Sequence, residues 1–259
     1  MTTNKYEISP EFENLILERK REKAPLSRFS VSKLLLPTRI AVLSETEEPI
    51  EDVSDSFLAF LGTCVHEYME KHVLGSTELK LTAKIGESEI VGIIDRFEPE
   101  TGTVIDYKVK KMGDSDYSQA IRQIKCYAWL LRKSGAVATR GKIVAIRRDW
   151  SKLRGVSPID EIEFPIRSDD IIETEEWIKE RIAAIEEGRS ILPMCSDEEK
   201  WKAPDKWAVY KNEGDEKAKK LYDSEEEARA TGLIVEHRSG KCLRCESFCP
   251  YSRVCKAKL

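Results

Sequence analysis

The sequence predicts a mixed α/β protein, with a central mixed sheet flanked by helices and a small cysteine-rich lobe at the C-terminal end. Between residues 78 and 147 the predicted order is strand, strand, strand, helix, strand, which builds a mixed sheet with a crossover helix. Segments on both sides repeat their apolar residues at helical spacing. After residue 193 the composition shifts toward tryptophan, lysine, glutamate and finally cysteine. We therefore expect an N-terminal arm over 1–28, a core over 29–190 and a C-terminal lobe over 191–259.

The composition is that of a folded, mildly acidic protein. The 259 residues include 43 Lys+Arg and 47 Asp+Glu, for a net charge of −4, and 41% are hydrophobic, which excludes disorder as the main state. No apolar run approaches the roughly 20 residues of a membrane span, and the N-terminus lacks a signal-peptide pattern, so we expect a cytoplasmic protein without membrane partners. Because a bulk basic excess is absent, any DNA site has to be a local patch.

The first elements are helical. The arm is polar and ends in the charged run Glu18–Lys23, which we interpret as a solvated helix. Ser30 or Ser32 is expected to cap a short helix that Pro37 interrupts, and the acidic stretch 45–55 is expected to be a loop. Apolar residues at helical spacing then predict a helix over 57–74 that carries His66.

The sheet is expected to start as an antiparallel meander. Turn compositions at 86–88 and 99–102 separate strands over 78–85, 89–97 and 103–110. A helix over 117–133, a strand over 142–147 and a helix over 173–187 complete the core.

Polar residues interrupt two of the predicted strands. Side chains alternate along a strand, so Asp106 and Lys108 share one face, and Asp95 on the partner strand can reach the same region. Two carboxylates in apolar strands carry a desolvation penalty that a Mg²⁺ or Mn²⁺ ion would offset, with Lys108 orienting water and steadying phosphate charge. The alternative is a cross-strand salt bridge at a sheet edge.

Further polar residues accompany this pair. His66 lies on the preceding helix one turn after Gly62, and Gln123 and Tyr127 stand four apart on one face of the following helix. Each of these residues could have a purely structural role by itself. Their order around the strand meander, however, favours the interpretation that they all face the same cleft.

At these residues the sequence resembles the PD-(D/E)xK nuclease superfamily, and within it the RecB-like branch of phage exonucleases and CRISPR-adaptation nucleases. The motifs that carry the resemblance are Gly62-Thr-Cys-Val-His66, Gly92-Ile-Ile-Asp95, Asp106-Tyr-Lys108 and Gln123-Ile-Lys-Cys-Tyr127. It implies a restriction-endonuclease-like core that binds Mg²⁺ or Mn²⁺ through His66, Asp95, Asp106 and the Tyr107 carbonyl. Lys108 would be the catalytic lysine, and Gln123 and Tyr127 would position DNA.

Four of the seven cysteines lie in the last eighteen residues. Zinc and a 4Fe–4S cluster both accept four thiolates, and the spacings do not form the paired arms of a zinc ribbon. The tail resembles the cluster-binding end of iron–sulfur nucleases, which implies a structural 4Fe–4S cluster, with Zn²⁺ as the alternative. The expected ligands are Cys195, Cys245, Cys249 and Cys255, with Cys242 competing with Cys195 for the first place.

A local basic segment completes the prediction. Residues 140–154 contain six cations against one aspartate, so we expect Arg147, Arg148 and Trp150 to contact DNA, the alternative being a solvated strand end. These observations and the resemblance predict a metal-dependent DNA exonuclease acting on single-stranded ends, with 5′ to 3′ polarity favoured. A non-catalytic DNA-binding or recombination-accessory module and a CRISPR-adaptation prespacer-trimming nuclease are the alternatives.

Overall fold

The computed structural model describes residues 2–17, 25–49, 52–73 and 76–255, which divide into two compact units, 1–193 and 194–259. The charged run Glu18–Lys23 lies outside the described residues. None of the described helices combines the length and apolar character needed to cross a membrane.

Short elements open the first unit. They are α1 (Pro10–Leu17), β1 (Arg28–Ser30), α2 (Val31–Leu34) and α3 (Thr38–Thr46), followed by a 3₁₀ turn (Val53–Ser56). The Ser30 side chain caps α2 by accepting a hydrogen bond from the Lys33 N–H at 3.1 Å, and Pro37 separates α2 from α3 as predicted. The expected loop over 45–55 is partly wrong, because α3 continues to Thr46 and the 3₁₀ turn begins at Val53.

A six-stranded mixed sheet forms the centre of this unit. Its further strands are β2 (Ser76–Ile85), β3 (Ser88–Glu98), β4 (Thr103–Lys110), β5 (Arg140–Arg147) and β6 (Ile159–Pro165). The order is β1-β3-β4-β5-β6, with β2 also paired to β3. The meander β2–β3–β4 is antiparallel as predicted, whereas β4 and β5 are parallel and β6 is antiparallel to β5. The mixed α/β fold class is confirmed.

Three long helices flank the sheet: α4 (Phe57–His72), α5 (Ser118–Lys133) and α6 (Ser168–Ser190). The α5 helix is the crossover between the parallel strands β4 and β5, and it buries its apolar face in the core. Fully buried side chains from the strands and helices form that core, among them Phe29, Ile90, Ile94, Ile124, Trp129, Leu130, Ile143, Ile178 and Ile185. By contrast, α4 has no fully buried residue.

The second unit contains a small antiparallel sheet. Its strands are β7 (Lys206–Tyr210), β8 (Lys220–Tyr222) and β9 (Ile234–Arg238), with β7 in the centre, and a short helix α7 (Glu225–Arg229) precedes β9. A π-helical turn, Arg244–Phe248, leads into the last cysteines.

Candidate active site

The candidate site lies where two strands of the meander part. The β3–β4 ladder pairs Arg96 with Ile105 and ends there, so Asp95 and Asp106 occupy the next facing positions. A carboxylate oxygen of Asp95 accepts a hydrogen bond from the Tyr107 N–H at 2.9 Å. This side-chain bond takes the place of a ladder bond and fixes the Asp95 carboxylate beside β4.

Asp106 is fully buried, and its main partner is Lys108. The Lys108 Nζ lies 2.9 Å from Oδ1 and 2.8 Å from Oδ2 of Asp106, but among the described residues no donor reaches Oδ2 with hydrogen-bond geometry. Burial raises the pKa of Asp106 to about 6; the nearby Asp95 charge adds to this and the Lys108 ammonium opposes it. A buried carboxylate with an unsatisfied oxygen is a group that a cation would stabilise.

A chain of hydrogen bonds continues from Lys108 to α5. The ammonium donates to Gln123 Oε1 at 3.1 Å, and Gln123 Nε2 donates to the Tyr127 hydroxyl at 2.6 Å. Tyr127 is only 3% exposed, and its burial raises the pKa of the phenol. The predicted i, i+4 pair therefore does converge on Lys108: Gln123 contacts the ammonium, and Tyr127 contacts Gln123.

Gly92 explains how α5 comes so close to β3. A Cβ atom at this position would lie 2.5 Å from Leu130 and 3.1 Å from the Tyr127 ring. The motif glycine is thus required for helix–strand packing, which brings Gln123 within reach of Lys108.

His66 reaches the site from α4. Its Nδ1 lies 3.3 Å from Asp95 Oδ1, and its Nε2 lies 3.1 Å from the Tyr107 carbonyl oxygen. The hydrogen bond with Asp95 raises the pKa of His66, although burial opposes this. Both ring nitrogens therefore face oxygen atoms. This arrangement suits either a doubly protonated imidazole, which donates to both oxygens, or a cation bound by the imidazole and these oxygens together.

Glu78 is a site residue that the sequence analysis missed. One donor atom each from His66, Glu78 and Asp95 lie within 4.8 Å of one another. Burial raises the pKa of Glu78, and the charges of Asp95 and Glu70 raise it further. The sequence gives little indication of this role. Glu78 is an acidic residue at the start of a predicted strand, and many acidic residues at strand ends are simply exposed to solvent.

A cleft of about 680 Å³ opens at this site, and the residues that line it include His66, Glu78, Asp95, Gln123 and Tyr127. Carboxylates, an imidazole and a backbone carbonyl are donors that Mg²⁺ or Mn²⁺ accepts, and the unsatisfied Oδ2 of Asp106 adds to the fit. His66, Glu78 and Asp95 each have a donor atom close enough to the others to hold such an ion together, and Asp106 and the Tyr107 carbonyl, the other two predicted ligands, contact Lys108 and His66.

Comparison with known families agrees with this geometry. Residues 31–256 match the model of the PD-(D/E)XK nuclease superfamily. The chain belongs to this superfamily. A search of curated proteins found no significant match.

Solved structures similar to this nuclease include that of SSO0001, with a TM-score of 0.55 and 18% identity over 96% of this chain and 95% of that one. This likeness shows the shared fold. Weaker similarities are to LHK-Exo, an alkaline exonuclease from Laribacter hongkongensis (TM-score 0.39, 13% identity, 70% of this chain and 95% of that one), and to a phage-related exonuclease from Haemophilus somnus 129PT (TM-score 0.32, 17% identity, 52% and 69%).

The predicted DNA contacts of the nuclease divide into a buried and an exposed part. Arg147 is buried, and its guanidinium donates to the Lys111 carbonyl at 2.9 Å, the Asp114 carbonyl at 3.0 Å and the Tyr117 hydroxyl at 2.7 Å, as well as to Asp160. These bonds hold the loop between β4 and α5 and favour a structural role for Arg147 over the predicted DNA contact, because a phosphate could reach this side chain only if the bonds broke.

Arg148 and Trp150 are exposed on the loop that follows β5. The Trp150 indole N–H donates to the Val156 carbonyl at 2.8 Å, and its ring remains 41% exposed. The ring is therefore fixed in place with one part open to a ligand.

The predicted cluster cysteines of the nuclease lie together in the second unit. The charges of Cys195, Cys245 and Cys249 act on the guanidinium of Arg244, whose pKa burial lowers. Burial also raises the pKa of Cys245, with the nearby Cys242 and Cys255 adding to the shift. All five candidate thiols are thus within electrostatic range of their neighbours, and both Cys195 and Cys242 stay candidates for the first ligand.

Proposed function

We propose that this nuclease is a divalent-metal-dependent DNA exonuclease that acts on single-stranded ends, with 5′ to 3′ polarity favoured, and that it carries a structural 4Fe–4S cluster. The observation that carries the catalytic part is the position of the Lys108 ammonium, which bridges the buried Asp106 carboxylate and Gln123 beside Asp95. The exonuclease polarity and the cluster rest on the sequence resemblance to RecB-like nucleases.

Each side chain has a task in phosphodiester hydrolysis. A bound Mg²⁺ or Mn²⁺ would supply Lewis-acid polarisation of the scissile phosphate. Asp106 and Gln123 hold the Lys108 ammonium at one spot, where it stabilises the charge that develops on the phosphate oxygens and orients the attacking water. Because an ammonium can only donate, Lys108 requires the Gln123 oxygen to face it, and the Tyr127 hydroxyl then accepts from the amide nitrogen.

We propose Arg148 and Trp150 as DNA contacts beyond the cleft. Arg148 offers a charge to a phosphate, and the exposed part of the Trp150 ring offers a stacking surface that tolerates any base. Such contacts suit a nuclease without sequence preference.

The small core of the second unit supports a structural cluster. Its buried apolar residues within the described part are Ala208, Val209, Tyr210, Ala228, Cys242 and Tyr251. So few large side chains rarely stabilise a unit of this size without a disulfide or a metal centre. Cys195, Cys245, Cys249 and Cys255 would hold the cluster.

The experiment uses linear single-stranded DNA labelled at either the 5′ or the 3′ end, and circular single-stranded DNA of the same sequence. We expect mononucleotides or short products from one labelled end in Mn²⁺ or Mg²⁺, no cleavage in EDTA, and no cleavage of the circle. Lys108→Ala should lower the rate about 100- to 1,000-fold, because a preorganised cationic donor is lost.

Lys142→Ala is the matched control. This lysine also lies on a strand of the sheet, but its ammonium pairs with Glu161 and Glu163, which do not line the cleft. Equal cleavage rates for wild type and Lys108→Ala would contradict the catalytic role of Lys108. Cleavage of the circular DNA would show that the enzyme is an endonuclease. DNA binding without cleavage in either metal would favour the accessory module.

A further inference from the structure

Glu78 stands in the catalytic cleft, although it belongs to none of the nuclease motifs of the sequence. Its carboxylate, His66 and Asp95 each offer one donor atom, and the three atoms lie within 4.8 Å of one another. Three donors in a sphere of this size match the spacing that a single divalent cation requires of its ligands, given metal–oxygen distances of about 2.0–2.6 Å.

The β2–β3 ladder determines this position. The pairs Thr77 with Arg96 and Leu79 with Ile94 flank it, so Glu78 is the residue that faces Asp95 across the ladder. Glu78 has a φ of 50°, in the left-handed region that non-glycine residues seldom adopt. Two carboxylates face each other here at the edge of the cleft.

The side chains that line the cleft include more acidic than basic groups. Glu67 and Glu70 also line it, and among the described residues that line it there is no lysine or arginine. Lys108 is engaged by Asp106 and Gln123. A polyanionic substrate could approach this surface only if bound cations offset the carboxylates.

A separate observation concerns Asp106, whose carboxylate interacts with that of Asp95. Asp106 is fully buried, and its Oδ2 receives no hydrogen bond of acceptable geometry from the described residues. Asp106 lies on β4 and Glu78 lies on β2, and both of these strands pair with β3, the strand of Asp95. Both carboxylates are close enough to Asp95 for its charge to raise their pKa values.

We propose that Glu78 is a ligand of the catalytic divalent cation, sharing it with His66 and Asp95. The assignment rests on the proposed function, since it concerns the same ion. It makes Glu78 a fourth acidic or imidazole donor beside His66, Asp95 and Asp106, and it predicts that the ion is held from β2 as well as from β3, β4 and α4.

The test measures metal binding directly and without substrate. Metal-free protein is titrated with Mn²⁺ at pH 8.5, where histidine is mostly neutral, and free Mn²⁺ is followed by its electron paramagnetic resonance signal. Glu78→Gln should raise the Mn²⁺ Kd about tenfold or more, as expected when a metal-site carboxylate loses its charge. Glu67→Gln is the matched control, because it removes the same charge from the same cleft outside the three-residue group, and it should change the Kd by less than about twofold.

Equal Mn²⁺ Kd values for Glu78→Gln and wild type would overturn the assignment. An equal loss of Mn²⁺ affinity in Glu78→Gln and Glu67→Gln would also overturn it, because it would indicate a general charge effect. Glu78→Asp provides a second variant that keeps the charge; we expect a Kd between those of wild type and Glu78→Gln, and circular dichroism checks that each variant is folded. If wild type cleaves DNA and binds Mn²⁺ while Glu78→Gln binds equally well, only the role of Glu78 fails. If wild type neither binds Mn²⁺ nor cleaves, the proposed function fails with it.

Discussion

In the cleft, the candidate metal ligands are held by bonds to other protein groups: Asp95 by the Tyr107 N–H, and Asp106 by Lys108, which Gln123 also contacts. In the unit 194–259, five cysteines approach one another around Arg244, but within the described residues no three thiols come within 4.8 Å. Strand pairing can hold two carboxylates in place without an ion. Four thiolates have no such support, because each repels the others until a metal centre neutralises them.

The largest effect should follow from the loss of a thiol. We expect Cys249→Ser to destabilise the unit 194–259. The small core of this unit would lose the proposed cluster, which links Cys195 near the start of the unit to the cysteines near its end. Limited proteolysis should then cut within 194–259, while the fragment 1–193 survives. Iron analysis and visible absorption of protein purified without oxygen give the second measurement: several irons in wild type and a large loss in the variant.

Cys126→Ser is the control for this experiment. Cys126 is buried in α5 of the first unit, far along the chain from the tail, and its replacement should leave the iron content unchanged. A colourless wild-type protein with one zinc per chain would replace the cluster by the zinc alternative, and an intact proteolysis pattern in Cys249→Ser would contradict the structural role.

The sequence predicted the site better than it predicted the small elements, and the reason is physical. Alternation along β4 is enough to put Asp106 and Lys108 on one face, and helical periodicity is enough to align Gln123 with Tyr127. The role of Glu78 depends on the register between β2 and β3, which a single sequence does not determine. The sequence does not determine the role of Arg147, because a basic residue at a strand end gives the same pattern whether it binds phosphate or, as here, backbone carbonyls.

Some helices and strands were not predicted because the apolar residues in their sequences show no clear period. The strand β6 and the helix α3 lack the strong apolar periodicity of α5, and they form because the sheet edge and the α6 surface give their apolar residues a place to pack. The strands of the second unit are three to five residues long, too short for a period to emerge.

An intermediate effect should appear when the buried acid of the cleft is neutralised. Asp106 has a pKa of about 6 in the folded protein, above its value in an unfolded chain, so its contribution to stability is present at low pH and is lost as pH rises through 6. In EDTA, the Tm of wild type should therefore fall between pH 5 and pH 8. Asp106→Asn should reduce this fall and raise the Tm at pH 8 by a few degrees, since about 1 kcal/mol corresponds to roughly 2–4 °C in a domain of this size.

Saturating Mg²⁺ sharpens the same measurement. It should raise the Tm of wild type at pH 8, which is above the pKa of Asp106, and should raise that of Asp106→Asn much less. Asp160→Asn is the control, because this exposed acid pairs with Arg147 away from the cleft. A Tm of Asp106→Asn in EDTA at pH 8 that is below that of wild type would mean that the Lys108 pair stabilises the fold more than burial of the charge destabilises it.

The smallest effects should arise at the loop after β5, whose residues do not line the cleft. Arg148→Ala should weaken binding of single-stranded DNA a few-fold and reduce the slope of log K against log salt by about 0.7, the value for one phosphate contact on a single strand. Trp150→Ala should remove base stacking, worth about 1–3 kcal/mol, with little change in the salt slope. The two variants therefore separate charge from stacking at neighbouring positions. Fluorescence anisotropy at several salt concentrations, with Ca²⁺ in place of Mg²⁺ to limit cleavage, measures both.

Arg147→Lys is the informative comparison: because Arg147 is bonded to the loop between β4 and α5, its replacement should lower the cleavage rate more than DNA affinity. Loss of affinity and of salt slope in Arg147→Lys, with neither in Arg148→Ala, would return the DNA contact to the buried arginine.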